Sequence, residues 1–169
     1  MSMAGRQTDA VDAIVAQWER ERPDLDLAAM AVLGRLGRLY VLAERAIDAV
    51  FTAHGLQRGE FDVLAALRRS GAPFELTPSV LADTLMLSRA GMTGRLDRLE
   101  SAGLVRRIAD PADRRAVRVA LTEAGRARVD EVVTAHTENE TRLLSGLSVR
   151  DRAELDRIAR LLLAELDRP

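Results

Sequence analysis

The stretch that decides the fold is GLVRRIADPADRRAVRVALTEAG, residues 103–125. Near its centre, Asp110-Pro-Ala-Asp113 has the residue types that favour a turn. The segment Ala116–Leu121 after this turn places alternate apolar residues on one face, as expected for a half-buried strand, whereas Leu104–Ile108 before it alternates only weakly. We therefore predict a β-hairpin whose tip carries two adjacent arginines.

Two short helices are predicted immediately before this hairpin. Thr77 and Pro78 supply an N-cap and a proline at the first helical position, and they open a helix that extends through Leu85. Ser88 is the N-cap of the next helix, Arg89–Ser101. Helix, helix and hairpin in this order predict a winged helix-turn-helix, in which the second helix enters the major groove of DNA.

The other segments with apolar periodicity also predict helices. These segments are Thr8–Arg22, Leu27–Phe51, Arg58–Arg69, Thr122–Ser145 and Arg150–Leu166. Hydrophobic residues make up 47% of the 169 residues but aromatic residues only 3%, so the core must consist mainly of Leu, Val and Ala. Such a core suits packed helices better than a β-sandwich, and we expect a mainly α fold.

Composition excludes several classes of function. The chain has no Cys and two His, which excludes disulfides, thiolate metal sites and a histidine-rich metal cage. We find no Ser/His/Asp order, paired-carboxylate cleft or phosphate loop, and we expect neither an enzyme nor a cofactor. No apolar run approaches the roughly 20 residues that span a bilayer, and Met1–Ala10 has no apolar signal-peptide core. We therefore expect a cytoplasmic protein without a membrane partner.

Positive charge is concentrated around the predicted recognition helix and hairpin. Residues 89–118 contain eight Arg and four acidic residues, a local charge of +4 in a chain of net charge −1. A local basic surface suits phosphate binding, but a solvated charged face with intrahelical pairs would explain the charge equally well. The hairpin tip favours DNA, because a thin loop bearing Arg114 and Arg115 suits insertion into a narrow minor groove. Asp113 is predicted to brace Arg115 and to leave Arg114 reaching outward.

The predicted DNA-contacting side chains lie on the second helix and at the hairpin tip. A recognition helix presents a polar, partly basic face near its N-terminus to base edges. Its buried side is expected to hold Ala90, Leu96 and Leu99. The candidates for DNA contact are Ser88, Arg89, Met92, Thr93, Arg95, Arg98, Arg114 and Arg115.

Residues 103–125 resemble the wing signature of MarR-family transcriptional regulators. The Asp-Arg-Arg tip, the Leu-Thr strand end and the Glu-x-Gly helix start occur together, and the resemblance covers about Leu27–Leu166. It implies a winged helix-turn-helix lobe with a helical dimerisation region, and a homodimer that binds a pseudo-palindromic operator with half-sites roughly 34–36 Å apart. The apolar residues Leu155, Ile158 and Leu162 fit a dimer interface, although each could equally belong to the core of one chain.

This resemblance also predicts the domain organisation. Residues 1–26 would form an N-terminal extension with an additional helix, and residues 27–169 a single winged-helix domain. Within that domain, the DNA-binding lobe would cover about residues 57–121, with dimerisation helices in 27–55 and 122–169.

The additional N-terminal helix, which ends in QWERERPDL at residues 17–25, resembles that of the urate-responsive branch of the family. That branch implies four ligand residues, here Trp18, Asp62, Arg95 and Arg107. Two Arg forks and an indole suit a flat monoanion, and the incoming charge would repel Asp62 and release it from Arg95. The expected function is therefore a repressor released by urate or a related anion.

Other interpretations of the four ligand residues and of the function stay open. Trp18 could only anchor its helix, Asp62 could be the structural partner of an Arg, and Arg95 and Arg107 could contact phosphate instead of a ligand. The effector could be a phenolic anion. The fold could also serve as a protein-interaction module that has lost DNA binding.

Overall fold

The computed structural model describes residues 8–110 and 116–168, with the side chain of Arg89 left out of the description. These residues form seven helices and three short strands. In chain order the elements are α1 Ala10–Glu21, α2 Ala28–Ala53, α3 Arg58–Arg69, β1 Glu75–Leu76, α4 Pro78–Thr84, α5 Arg89–Ser101, β2 Val105–Ala109, β3 Val117–Leu121, α6 Glu123–Leu143 and α7 Val149–Leu166. No helix in the described part of the chain is long and apolar enough to span a bilayer.

The chain forms two compact units, Met1–Ala46 and Ile47–Pro169, whose boundary falls inside α2. The predicted N-terminal extension, residues 1–26, stays a prediction. In the first unit, Asp9 is the N-cap of α1 and forms a capping box with Asp12. Arg35 of α2 pairs with both carboxylates, and its Nε lies 2.8 Å from Asp9 Oδ2. Val11 of α1 is buried beside Gly34, whose missing side chain leaves room for it. Charge pairing and one apolar contact thus hold α1 against α2.

The second unit contains the core of the winged lobe. Leu64 and Leu67 of α3, Leu81 of α4 and Leu96 of α5 are almost completely buried in one cluster, together with Val119 of β3. Phe51 and Phe61 stack at the edge of this cluster with ring centroids 4.5 Å apart. The predicted Leu- and Val-rich helical core is therefore present, and it fixes α5 against α3.

The three strands form one antiparallel sheet in the order β1-β3-β2. The predicted hairpin is β2 and β3, with Val105 opposite Leu121 and Ala109 opposite Val117. The two-residue strand β1 pairs with β3 on its other side, and the sequence did not predict it. Val117 is exposed, so the buried part of β3 begins only at Val119.

Helix α6 begins where the hairpin ends, and its start depends on a glycine. The Thr122 hydroxyl is the N-cap and accepts a hydrogen bond from Gly125 N at 2.9 Å. A Cβ atom built on Gly125 would overlap the carbonyl oxygen of Leu104. The Glu-x-Gly part of the signature therefore has a steric cause, since the backbone of α6 meets the backbone that leads into β2.

Candidate nucleic-acid and effector sites

The turn between α4 and α5 sets the position of the predicted recognition helix. Ser88 is the N-cap of α5, and its hydroxyl accepts a hydrogen bond from Gly91 N at 3.2 Å. Met86 adopts a positive φ of 51° in the tight turn and its side chain is exposed. The side chains of Ser88 and Thr93 are accessible at least in part, as the predicted DNA-contacting face requires.

Met92 is a correction to the predicted DNA-contacting face. Its side chain is only 2% exposed and belongs to the apolar core, whereas Ala90, which was predicted to be buried, is exposed. The buried stripe of α5 is Met92, Leu96 and Leu99, which follow one another at the four- and three-residue spacing of one helix face. Met92 therefore packs α5 against the lobe and does not face a DNA groove.

Arg98 joins the recognition helix to α3. Its Nε lies 2.7 Å from Oε1 of Glu60, a carboxylate that is almost completely buried. The other oxygen of Glu60 accepts a hydrogen bond from Gln57 N at 2.9 Å. The side chain of Arg98 is still half exposed, so the pair orients α5 and leaves Arg98 open to solvent. Sequence analysis missed Glu60, which occupies the third position of α3 and accepts from the backbone N of the N-cap Gln57 as the Glu of a capping box does.

The described base of the wing is braced by a pair that sequence analysis missed. Nε of Arg118 lies 2.7 Å from Oδ2 of Asp110, whose side chain is buried. Asp110 N also donates a hydrogen bond to Ala116 O at 3.0 Å across the hairpin. The predicted tip residues Asp113, Arg114 and Arg115 lie outside the described residues, so their roles stay predictions.

Asp62 and Arg95, two of the predicted ligand residues, both lie in the second unit, Asp62 on α3 and Arg95 on α5. Asp62 on α3 is half-buried, and burial raises the pKa of its carboxyl group, while the charges of Arg58 and Arg95 oppose that shift. The guanidinium of Arg95 lies over Gly59, where a Cβ atom would be 2.6 Å from its Nε. The side chain of Arg95 therefore extends from α5 to the first turn of α3, where Gly59 lies three residues before Asp62.

Arg107 has different partners. It pairs with Glu100 and Asp97 of α5, with Nη2 2.6 Å from Asp97 Oδ1 and the backbone N 3.0 Å from Glu100 Oε1. These hydrogen bonds, led by that with Asp97, raise the pKa of the Arg107 guanidinium. Arg107 therefore ties the start of the wing to the recognition helix.

Trp18, the fourth predicted ligand residue, lies on α1 in the first unit, with 43% of its surface exposed.

Within residues 8–110 and 116–168, no group of three His, Asp or Glu side chains could hold a metal ion.

Comparison with known proteins identifies the family. A model described as the MarR family matches residues 54–116. Over 145 residues, the chain is 46% identical to the HTH-type transcriptional regulator PecS of Dickeya dadantii (strain 3937), and this alignment covers 86% of the chain and 87% of PecS. The chain belongs to the MarR family. Sequence analysis predicted this membership from the wing signature, and it is confirmed.

Solved structures of MarR-family proteins agree with this assignment. A mutant of E. coli MarR in complex with operator DNA gives a TM-score of 0.67 at 26% identity, covering 81% of this chain and 97% of that one. BpsR of Bordetella bronchiseptica, whose DNA binding is regulated by 6-hydroxynicotinic acid, gives 0.66 at 29% identity, covering 82% and 94%. The mainly α winged-helix fold is confirmed, and the protein is a DNA-binding transcriptional regulator and not an enzyme.

Proposed function

We propose that this MarR-family regulator is a homodimeric repressor that binds a pseudo-palindromic operator and is released by a small flat anion such as urate. The observation that carries the proposal is the proximity of Asp62 and Arg95. The side chain of Arg95 extends from the recognition helix onto α3, and its charge acts on the Asp62 carboxyl group. A ligand that engages Arg95 acts directly on the element that contacts DNA.

The dimer is supported by apolar surface that one chain leaves uncovered. Leu155, Ile158 and Leu162 of α7 are each more than a third exposed, and α7 contains no buried residue. Leu33 and Tyr40 of α2 are also exposed. Monomeric proteins rarely expose large apolar patches of this kind, and a second copy of the chain would cover them.

Binding to an operator is supported by the accessible N-terminal part of α5 and by family membership. Ser88 and Thr93 lie near the start of the recognition helix and outside the core, where base edges are contacted in helix-turn-helix complexes. The predicted tip residues Arg114 and Arg115 add the minor-groove contact. Two such lobes in a dimer would bind half-sites one helical turn apart.

Release by an anion follows from the electrostatics of Asp62 and Arg95. An anion bound by the Arg95 fork would raise the repulsive potential at the half-buried Asp62 and compete for the guanidinium. Arg95 would then move relative to Gly59, and the population would shift towards a position of α5 that fits DNA poorly. The 6-hydroxynicotinic acid that regulates BpsR supports a second candidate class, an aromatic anion other than urate.

DNA binding is expected to depend steeply on salt and on the wing tip. With the chain's own upstream DNA, fluorescence anisotropy should show affinity falling steeply with salt as counterions are released. Arg114→Ala should weaken binding about tenfold while the melting temperature stays unchanged. The matched control is Arg142→Ala on α6, which should bind like the parent. Equal affinities for the parent and Arg114→Ala would remove the wing tip from the proposal.

Urate is expected to weaken DNA binding through Asp62. Asp62→Asn keeps the size of the side chain but removes its charge, so the urate concentration that releases half of the DNA should rise about tenfold, while binding without urate changes little. Trp18→Phe should likewise raise the urate concentration that releases half of the DNA. Asp156→Asn, an exposed residue of α7, is the control. If urate and a panel of phenolic anions leave the parent on DNA, the effector proposal is wrong while the DNA-binding function stands.

A further inference from the structure

The turn that joins α4 to α5 carries a methionine where the backbone favours glycine. Helix α4 ends in a Schellman motif, in which Leu87 N donates a hydrogen bond to Ala82 O at 2.9 Å. Met86 N donates the second bond of the motif to Asp83 O at 3.2 Å. Met86 follows the C-cap, and its φ of 51° lies in the left-handed region. A side chain strains the backbone there, because its Cβ comes too close to the following carbonyl oxygen.

Two other helices of the described chain end in the same motif and have glycine at this position. Gly55 follows α2 with a φ of 70°, and Gly103 follows α5 with a φ of 69°. In both cases the backbone N of the next residue closes the motif with a hydrogen bond of 2.9 Å. Glycine at position 86 would likewise form the turn without strain. The turn itself therefore does not explain why residue 86 is a methionine.

The side chain of Met86 makes almost no contact with its own chain. It is 92% exposed, the highest value for a large apolar side chain among the described residues. Its neighbours Leu85 and Leu87 both pack against the core, so the turn is anchored on either side of Met86. A single exposed apolar side chain is ordinary, but one that is also held at a strained backbone position indicates a function.

Met86 lies close to the end of the recognition helix that meets DNA. It is two residues before Ser88, the N-cap of α5, and two residues of chain span at most about 7 Å. The N-terminal residues of a recognition helix contact base edges in the major groove. We propose that Met86 is an apolar DNA contact, whose thioether packs against the C5-methyl group of a thymine or against a deoxyribose at the edge of the groove. In the complex, DNA would cover the side chain that the free protein exposes.

Met86→Gly distinguishes DNA contact from folding, because its two expected effects have opposite directions. Glycine removes the left-handed strain, so the urea concentration at the midpoint of unfolding should rise. Glycine also removes the apolar contact, so the affinity for operator DNA should fall about tenfold. Fluorescence anisotropy measures this affinity on a duplex that the parent protein selects from a random-sequence pool.

Two further variants are the controls for the apolar side chain. Met86→Leu keeps an apolar side chain of similar volume and should bind the duplex within about threefold of the parent. Val149→Ala shortens another strongly exposed apolar side chain, at the start of α7, and should bind like the parent.

Salt and base substitution identify the kind of contact. An apolar contact releases no counterions, so Met86→Gly should keep the parent's slope of log affinity against log salt concentration. A duplex with uracil in place of thymine lacks the C5-methyl groups. If the tenfold difference between the parent and Met86→Gly disappears on this duplex, the partner of Met86 is a thymine methyl group. If the difference persists, the partner is a deoxyribose.

Three results would overturn the contact. The first is equal affinity of the parent and Met86→Gly for the selected duplex. The second is a smaller salt slope in Met86→Gly, because the lost contact would then be one to phosphate. The third is a Met86→Leu variant as weak as Met86→Gly. A parent protein that selects no duplex would refute operator binding as well, whereas these three results refute the Met86 contact alone.

Discussion

Gly125→Ala is expected to destabilise the protein by about 3 kcal/mol or more, because it forces two backbone segments apart. The added Cβ would overlap the carbonyl oxygen of Leu104 and lie 2.8 Å from its carbonyl carbon. That oxygen also accepts hydrogen bonds from Thr122 N at 3.1 Å and from Thr122 Oγ1 at 3.2 Å. Neither segment can move without breaking the N-cap hydrogen bond of α6 and the hydrogen bonds from Thr122 to Leu104 O at the end of the wing.

Urea denaturation of the purified protein measures this effect. The matched control is Gly94→Ala, whose Cβ would meet Arg98 Nη1 at 3.8 Å, an ordinary contact. Because Gly94 lies inside α5, alanine there should stabilise the protein by about 0.5–1 kcal/mol. If Gly125→Ala unfolds at the same urea concentration as the parent, the close backbone approach is not a real constraint.

Sequence signals predicted the bounds of two helices, but not the short strand β1 or the buried face of α5. Local signals were sufficient for α3 and α5, whose bounds match the prediction, because caps and periodic apolar residues lie within the segments themselves. Strand β1 has only two residues, too few to show any periodicity. The burial of Met92 and the exposure of Ala90 were missed because α5 has little amphipathic contrast near its two glycines.

The sequence predicted which residues belong to the candidate sites, but not which side chains those residues contact. Sequence analysis selected Asp62, Arg95 and Arg107 by resemblance, and the fold decided what each one meets. Arg98 pairs with Glu60, 38 residues earlier, and Arg107 pairs with α5, as the three-dimensional packing requires. Arg107 also has Asp110 three residues away in the sequence, so local spacing alone cannot show which carboxylate it pairs with.

Deletion of α7, by truncation after Gly146, is expected to abolish the dimer and to weaken operator binding by about a hundredfold or more. A monomer presents one recognition helix and loses the added affinity of two linked half-site contacts. Leu161, Leu163 and Leu166 are each more than half exposed, so α7 contributes almost nothing to the core of its own chain. The truncated chain should therefore keep the winged lobe and lose its association. Analytical ultracentrifugation and operator anisotropy measure the two effects separately.

A point variant distinguishes the apolar face from the mere presence of the helix. Ser148 and Asp151 form a capping box that starts α7, and neither is changed when Leu162 is replaced. Leu162→Gln should leave helix content unchanged and weaken the dimer, because about 2 kcal/mol of apolar burial is lost from each copy. The control Arg157→Gln removes only an exposed pair with Glu154 and should associate like the parent. A dimer of undiminished stability in both the truncated chain and Leu162→Gln would place the interface elsewhere, and the exposed leucines of α7 would then need a different partner.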